Sequence, residues 1–188
     1  MLSVLTGAIE ARDPYTRGHS ARVTALAEAV ARRLGWSDER LATLRVGGPL
    51  HDIGKLAVSD EVLCKEGRLD PDELAQIQEH PTIGARILLR MAALREAIPY
   101  VLYHHERWDG EGYPSGKAGE AIPLEARVLA VADAFDAMTS DRPYRPALTR
   151  DEALAEVERC SGTQFDPEIA RVFLELFAEA ELPAAAAS

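Results

Sequence analysis

Leu50-His51-Asp52-Ile53-Gly54-Lys55 sets an imidazole beside a carboxylate at the end of a helix-patterned segment. The helix leading into it starts at Asp38, behind Ser37, a good N-cap residue. Arg40 stands where a capping box would want Glu or Gln. The segment runs toward Lys55 and is interrupted by Gly47-Gly48-Pro49, where Pro49 should kink or break it. Neighbours on a helix point about 100° apart. On one helix, His51 and Asp52 therefore either bind one metal together or set the aspartate between two metals.

Outward from this stretch the pattern stays helical. Leu2 to Arg12 reads as a short first helix. Arg17 to Leu34 carries Val23, Leu26, Ala27, Val30 and Leu34 at three- and four-residue steps, with Gly35 as its stop. Asp70-Pro71 and Pro81 each open a helix. Leu94 to Arg107 makes another, bent at Pro99, and Leu124 to Ser140 a further one. Thr149 caps a helix from Arg150 to Cys160, and Asp166-Pro167 starts the last, to about Leu182. Asp109 to Pro123 is rich in glycine and proline and reads as a long loop. The expectation is an all-α, single-domain bundle of about eight helices over residues 1–182, with a frayed tail at 183–188.

Composition narrows the function. Thirty-one Asp and Glu against 21 Lys and Arg leave a formal charge of −10 over 188 residues. That argues against a duplex nucleic-acid binder, which needs a basic face. No apolar run is long enough to span a membrane, and Met1 to Asp13 lacks the basic region of a signal peptide. Cys64 and Cys160 form neither a disulfide framework nor a zinc motif, so a cytoplasmic setting is expected.

The five histidines are His19, His51, His80, His104 and His105. Imidazole and carboxylate together suit iron, manganese and zinc. Each alone reads more readily as a surface or hydrogen-bonded residue, and their joint occurrence is what carries weight. Asp133 lies in the apolar stretch Val-Ala-Asp-Ala-Phe-Asp-Ala-Met, and a buried carboxylate there needs a cation. Asp136 follows three positions later on the same face.

His19, His51-Asp52 and Asp133, in that order, resemble the ligand set of the HD-domain metal-dependent phosphohydrolases, whose fold is an all-α bundle. With Glu79-His80-Pro81, His104-His105-Glu106, Gly110-Glu111-Gly112-Tyr113-Pro114 and Ser140-Asp141-Arg142-Pro143-Tyr144-Arg145, the chain is similar to the HD-GYP subfamily from about Ala11 to Leu176.

The resemblance implies a cyclic di-GMP phosphodiesterase with a dinuclear centre of iron or manganese. One metal would be held by His19, His51, Asp52 and Asp133. Asp52 would bridge to a second, held also by His80, His104 and His105. A hydroxide shared by metals about 3.5–4 Å apart would attack phosphorus in line. That attack would open the ring to linear pGpG, and a second round could give GMP. Lys55, Arg142 and Arg145 resemble the family's substrate-phosphate contacts, and Asp136 is a candidate to orient the hydroxide or a ligand. Trp108 and Tyr113 offer aromatic surface at the mouth of the site. The Gly-Tyr-Pro loop implies substrate access and contact with diguanylate cyclase (GGDEF) domains; its competing reading is a loop that only packs over the helices.

Two departures stand out. Tyr15 occupies the place of a glutamate that brings a third metal in some members, so two metals are expected. Gly47-Gly48-Pro49 replaces a more apolar lead-in. Leu2, Val4, Leu5 and Ile9 form an apolar stripe that either packs on the core or continues a helix that makes a homodimer. The competing functions are the same chemistry on another cyclic dinucleotide such as cyclic GMP-AMP, and a catalytically weak signalling or binding module. The latter is disfavoured because no ligand is lost. No serine-hydrolase or zinc-protease context is present.

Overall fold

The computed structural model describes residues 5–7, 12, 18–65, 67–141 and 146–181. Among them are nine α-helices and no β-strand: α1 (His19–Arg33), α2 (Asp38–Leu50), α3 (Asp60–Leu63), α4 (Pro71–Gln78), α5 (His80–Leu89), α6 (Ile98–Tyr103), α7 (Leu124–Thr139), α8 (Arg150–Arg159) and α9 (Pro167–Glu181). The expected all-α bundle is what forms.

Local chemistry sets most of the boundaries. Ser37 Oγ accepts the Arg40 N–H at the start of α2. Asp70 with Glu73, and Thr149 with Glu152, close full capping boxes on α4 and α8. Gly35 follows α1 at φ +75°, a conformation costly for any residue with a Cβ.

Two expectations are corrected. The segment 38–55 does not break at Gly47-Gly48-Pro49; α2 runs through them to Leu50, and a separate 3₁₀ turn covers Ile53–Ala57. The glycines are packing notches. A Cβ at Gly47 would lie 2.4 Å from the Tyr100 ring, and one at Gly48 would lie 2.5 Å from Thr24 Oγ1. Pro49 stands one residue before the end of α2 and forgoes the bond an N–H there would give to the carbonyl four residues back, and the helix nevertheless continues through it. His51 and Asp52 consequently sit in the turn after the helix, not on it. Likewise, 94–107 is not one bent helix. A 3₁₀ stretch at Ala92–Ala97 passes into α6, with Pro99 in its first turn, and α6 ends at Tyr103.

α1 packs on α2 and α7, and α9 closes over α1, α7 and α8. Their shared core includes Val23, Leu44, Val128, Leu129 and Phe173, all at or near zero exposure. A second cluster, with Leu50, Ile53, Leu88 and Val101, joins the end of α2 to α5 and α6. Leu5 packs against that second cluster; the rest of the N-terminal stripe, Leu2, Val4 and Ile9, lies outside the described residues, as do Tyr15 and the tail 183–188. No described helix is long and apolar enough to cross a membrane.

Candidate metal centre

Between the two clusters, three chain segments end on histidine in the same way. His51 follows α2, His80 follows the end of α4, and His104 follows α6. A helix leaves its last carbonyls without intrahelical donors. Each of these rings uses one. His51 Nδ1 bonds Gly48 O (2.7 Å), His80 Nδ1 bonds Ile77 O (2.6 Å) and His104 Nδ1 bonds Val101 O (3.0 Å). A carbonyl only accepts, so each Nδ1 carries a proton, and the Nε2 of each ring is the atom left facing inward.

His19, the first residue of α1, is braced differently. Its Nδ1 lies 2.7 Å from Asp136 Oδ2, and its Nε2 lies 3.1 Å from Asp133 Oδ1. Arg22, one turn further along α1, grips both oxygens of Asp136 from Nε (2.6 Å) and Nη2 (3.0 Å). Burial alone would lower the His19 pKa; the bonds to Asp133 and Asp136 outweigh it and raise it to about 9.

The ligand atoms fall into two groups, each with its atoms within 4.8 Å of one another: His19, His51 and Asp133, and Asp52, His80, His104 and His105. Asp52 joins them. Its Oδ1 lies 3.2 Å from His80 Nε2 and its Oδ2 lies 3.5 Å from His51 Nε2. Lys55 Nζ reaches the same Oδ2 at 2.7 Å. Burial disfavours charge on Asp52 and Asp133. Lys55, His51 and His80 outweigh this at Asp52, and His19 and His51 do so at Asp133, so both carboxyls are held well below their ordinary range. Burial drives His105 down to about 3 and also lowers His104, so both rings are neutral.

Two features fit this donor set to cations. Buried His51 Nε2 has no hydrogen-bond partner. His80 and His104, each with Nδ1 committed to a carbonyl, bring their Nε2 atoms to 3.3 Å of one another. Two nitrogens at that distance can share a single cation, as two donors to one metal ion do. Mixed imidazole and carboxylate donors suit iron, manganese or zinc.

A cavity of about 400 Å³ opens beside the centre, with Asp133, His105, Tyr113, Gln78 and Gln164 in its wall. Tyr113 stacks on His105 with ring centroids 4.8 Å apart. Trp108 faces Arg127 and does not line this cavity. Arg142 and Arg145 lie outside the described residues. The structure thus brings all seven expected ligand residues and Lys55 together, and sets Asp136 behind His19. Sequence reading passed over Arg22, whose signal was its place one turn from His19. It also passed over the buried Glu106.

The chain belongs to the HD domain family, which it matches over residues 3–169. The narrower likeness to HD-GYP proteins is borne out by its relatives. It is 44% identical over 182 residues to the cyclic di-GMP phosphodiesterase response regulator RpfG of Xanthomonas campestris pv. campestris, covering 96% of this chain and 48% of that one. It is 42% identical over 160 residues to 3′3′-cGAMP-specific phosphodiesterase 3 of Vibrio cholerae, covering 85% of this chain and 35% of that one. The fold is shared with a cyclic GMP-AMP-specific phosphodiesterase of V. cholerae, V-cGAP3, at TM-score 0.73 and 22% identity, covering 94% of this chain and 47% of that one. It is shared too with Bd1817, an HDGYP protein from Bdellovibrio bacteriovorus, at TM-score 0.68 and 21% identity, covering 85% and 51%. The chain spans about half the length of the curated relatives it matches first.

Proposed function

We propose that this chain is a metal-dependent phosphodiesterase of cyclic dinucleotides, hydrolysing cyclic di-GMP to pGpG and then GMP. The observation that carries the reading is Asp52, whose two oxygens face two separate groups of ligand-type side chains. His19, His51 and Asp133 would hold one cation, His80, His104 and His105 the other, and Asp52 both. Iron and manganese are the ions proposed. Bound there, two such cations supply Lewis acidity and a nucleophile at neutral pH.

The residues of the chain do the rest. Lys55 keeps Asp52 ionised and offers its ammonium to a substrate phosphate beside the centre. Tyr113 presents a ring face in the cavity wall, suited to stacking on a nucleobase. Asp136 fixes the orientation of His19 rather than touching substrate. Arg142 and Arg145 are proposed as further phosphate contacts from the segment that follows α7. The exposed rim of the Gly-Tyr-Pro loop, Pro114 to Gly116, is where a GGDEF domain would touch. A cytoplasmic location follows from a substrate of this class.

Cyclic GMP-AMP is the second substrate to weigh, because a relative at 42% identity carries that specificity in its name. The test is turnover of both dinucleotides by anaerobically purified protein loaded with ferrous iron or manganese, with products separated by chromatography. Appearance of pGpG or GMP, absent in Asp52→Ala, supports the reading; intact substrate with two ions bound per chain refutes it.

A further inference from the structure

Glu106 is 4% exposed and has no cationic partner among the described residues. Each of its oxygens instead accepts a main-chain N–H from the Gly-Tyr-Pro loop: Ser115 donates to Oε1 at 2.7 Å and Lys117 donates to Oε2 at 3.0 Å. Gly116 lies between them at φ +63°. A left-handed residue between two such donors turns successive N–H groups toward one point, an anion-binding concavity. Here the anion is a side chain of the protein itself.

The same few residues meet the loop twice more. Tyr113 N–H donates to His105 O at 3.2 Å, and the two rings stack. Gly112 lies so close to the segment that a Cβ there would come within 2.3 Å of Arg107 N and 2.6 Å of His105 O. Glu106 directly follows His104 and His105, and Tyr113 lines the cavity beside them.

We infer that Glu106 is a positioning residue: by filling the concavity of Ser115–Lys117 it locks the Gly-Tyr-Pro loop to the His104–His105 segment and so fixes Tyr113 as the wall against which substrate is held. The loop is then a preformed wall of the cavity. This rests on the proposed cyclic-dinucleotide reading for its consequence on substrate, but not for the clamp itself.

The test uses the metal-loaded protein with Glu106→Ala, Glu106→Gln and Gly116→Ala. The last strains the concavity from the loop side, because φ +63° is costly for a residue with a Cβ, while the Cβ itself would meet only Gly110 O, at an ordinary 3.6 Å. It serves alone if Glu106→Ala does not fold. Glu106→Ala and Gly116→Ala should speed amide exchange at Ser115, Lys117 and Tyr113. They should keep the full metal content and raise KM for the cyclic dinucleotide by about tenfold or more, as a displaced positioning group does. Hydrolysis of bis(p-nitrophenyl) phosphate, too small to need the wall, should stay within about threefold, since the centre itself is unchanged. Glu106→Gln keeps one acceptor and should fall between. Exchange that quickens at Ser115 and Lys117 but leaves the Tyr113 amide protected overturns the inference, as does an unchanged KM or a loss of metal equal to the loss of activity. Wild-type protein that turns over no cyclic dinucleotide refutes the functional reading alone; the Tyr113 exchange then decides the clamp.

Discussion

His80 Nε2 and His104 Nε2 face each other at 3.3 Å while both Nδ1 atoms are tied to main-chain carbonyls. The carbonyls accept the Nδ1–H of each ring, which leaves the two Nε2 atoms as the pair placed to hold a cation. Binding to the folded state alone then adds stability by mass action, about 4 kcal/mol at a thousandfold excess over Kd. Removing metal with a chelator should therefore lower Tm, and restoring iron or manganese should recover it. His80→Ala and His104→Ala should each bind one ion per chain instead of two. Elemental analysis with a thermal melt checks this; a Tm indifferent to chelation would count against a cation between these rings.

Asp136 should matter through His19, not through substrate. Its carboxylate accepts the Nδ1–H of His19, and Arg22 holds both of its oxygens. Substitutions behind a metal-binding histidine cost about 10- to 100-fold in affinity. Asp136→Asn should weaken the ion held by His19, His51 and Asp133 by that factor, while KM of the loaded enzyme barely changes. Arg22→Gln should act in the same direction and more weakly, because its side chain is 49% exposed and its field is screened. Chelator competition measures both. A normal metal affinity in Asp136→Asn would assign the residue elsewhere.

Much of this centre was legible in the chain because ligand chemistry is written in residue type and order. His51-Asp52, His104-His105 and the isolated acid Asp133 in an apolar helix have few other uses together. What was illegible depends on the partner across the interface. Gly47-Gly48-Pro49 looks like a break because propensity is local, yet Tyr100 and Thr24, from distant segments, need those glycines inside a continuous helix. The ends of α4 and α6 at His80 and His104 were equally hidden. A histidine that uses its own helix's spare carbonyl resembles any other until the helix end is known. Glu106 stood in the motif His104-His105-Glu106 without a legible role, since its partners are backbone N–H groups, which carry no residue identity.

Gly54 shows how closely the turn after Asp52 is pressed against α5. A Cβ there would fall 1.8 Å from His80 O and 2.8 Å from Gly84 N, both main-chain atoms that no rotamer change can move. Gly54→Ala should push the His51–Lys55 turn away from His80 and cost about 3 kcal/mol, the upper part of the usual range for overpacking. It should also impair metal binding, because Asp52 and His80 separate. Gly67→Ala is the control: nothing lies within 4 Å of a Cβ there. Urea unfolding of the two variants checks the contrast, and equal midpoints would contradict the packing described.

Glu28 ties the helix that carries His19 to the helix that delivers His51. Arg45 of α2 and Arg32 of α1 both bond its carboxylate, at 2.6 to 2.9 Å. The Arg45 bonds, then those of Arg32, lower its pKa from 4.5 to about 2. A carboxyl whose folded pKa is depressed binds protons more readily in the unfolded chain. Its stabilising effect is therefore present above the unfolded value near 4.5 and is lost as pH falls through about 2. Solvent screens all three side chains, so the magnitude should be below about 1 kcal/mol. Glu28→Gln should unfold at lower urea than the wild type from pH 7 down to about pH 4.5, by a near-constant margin. The two should converge between there and about pH 2, as the wild-type carboxylate takes up its proton. A margin that persists unchanged at pH 2 would mean that shape, not charge, joins the two helices at this point.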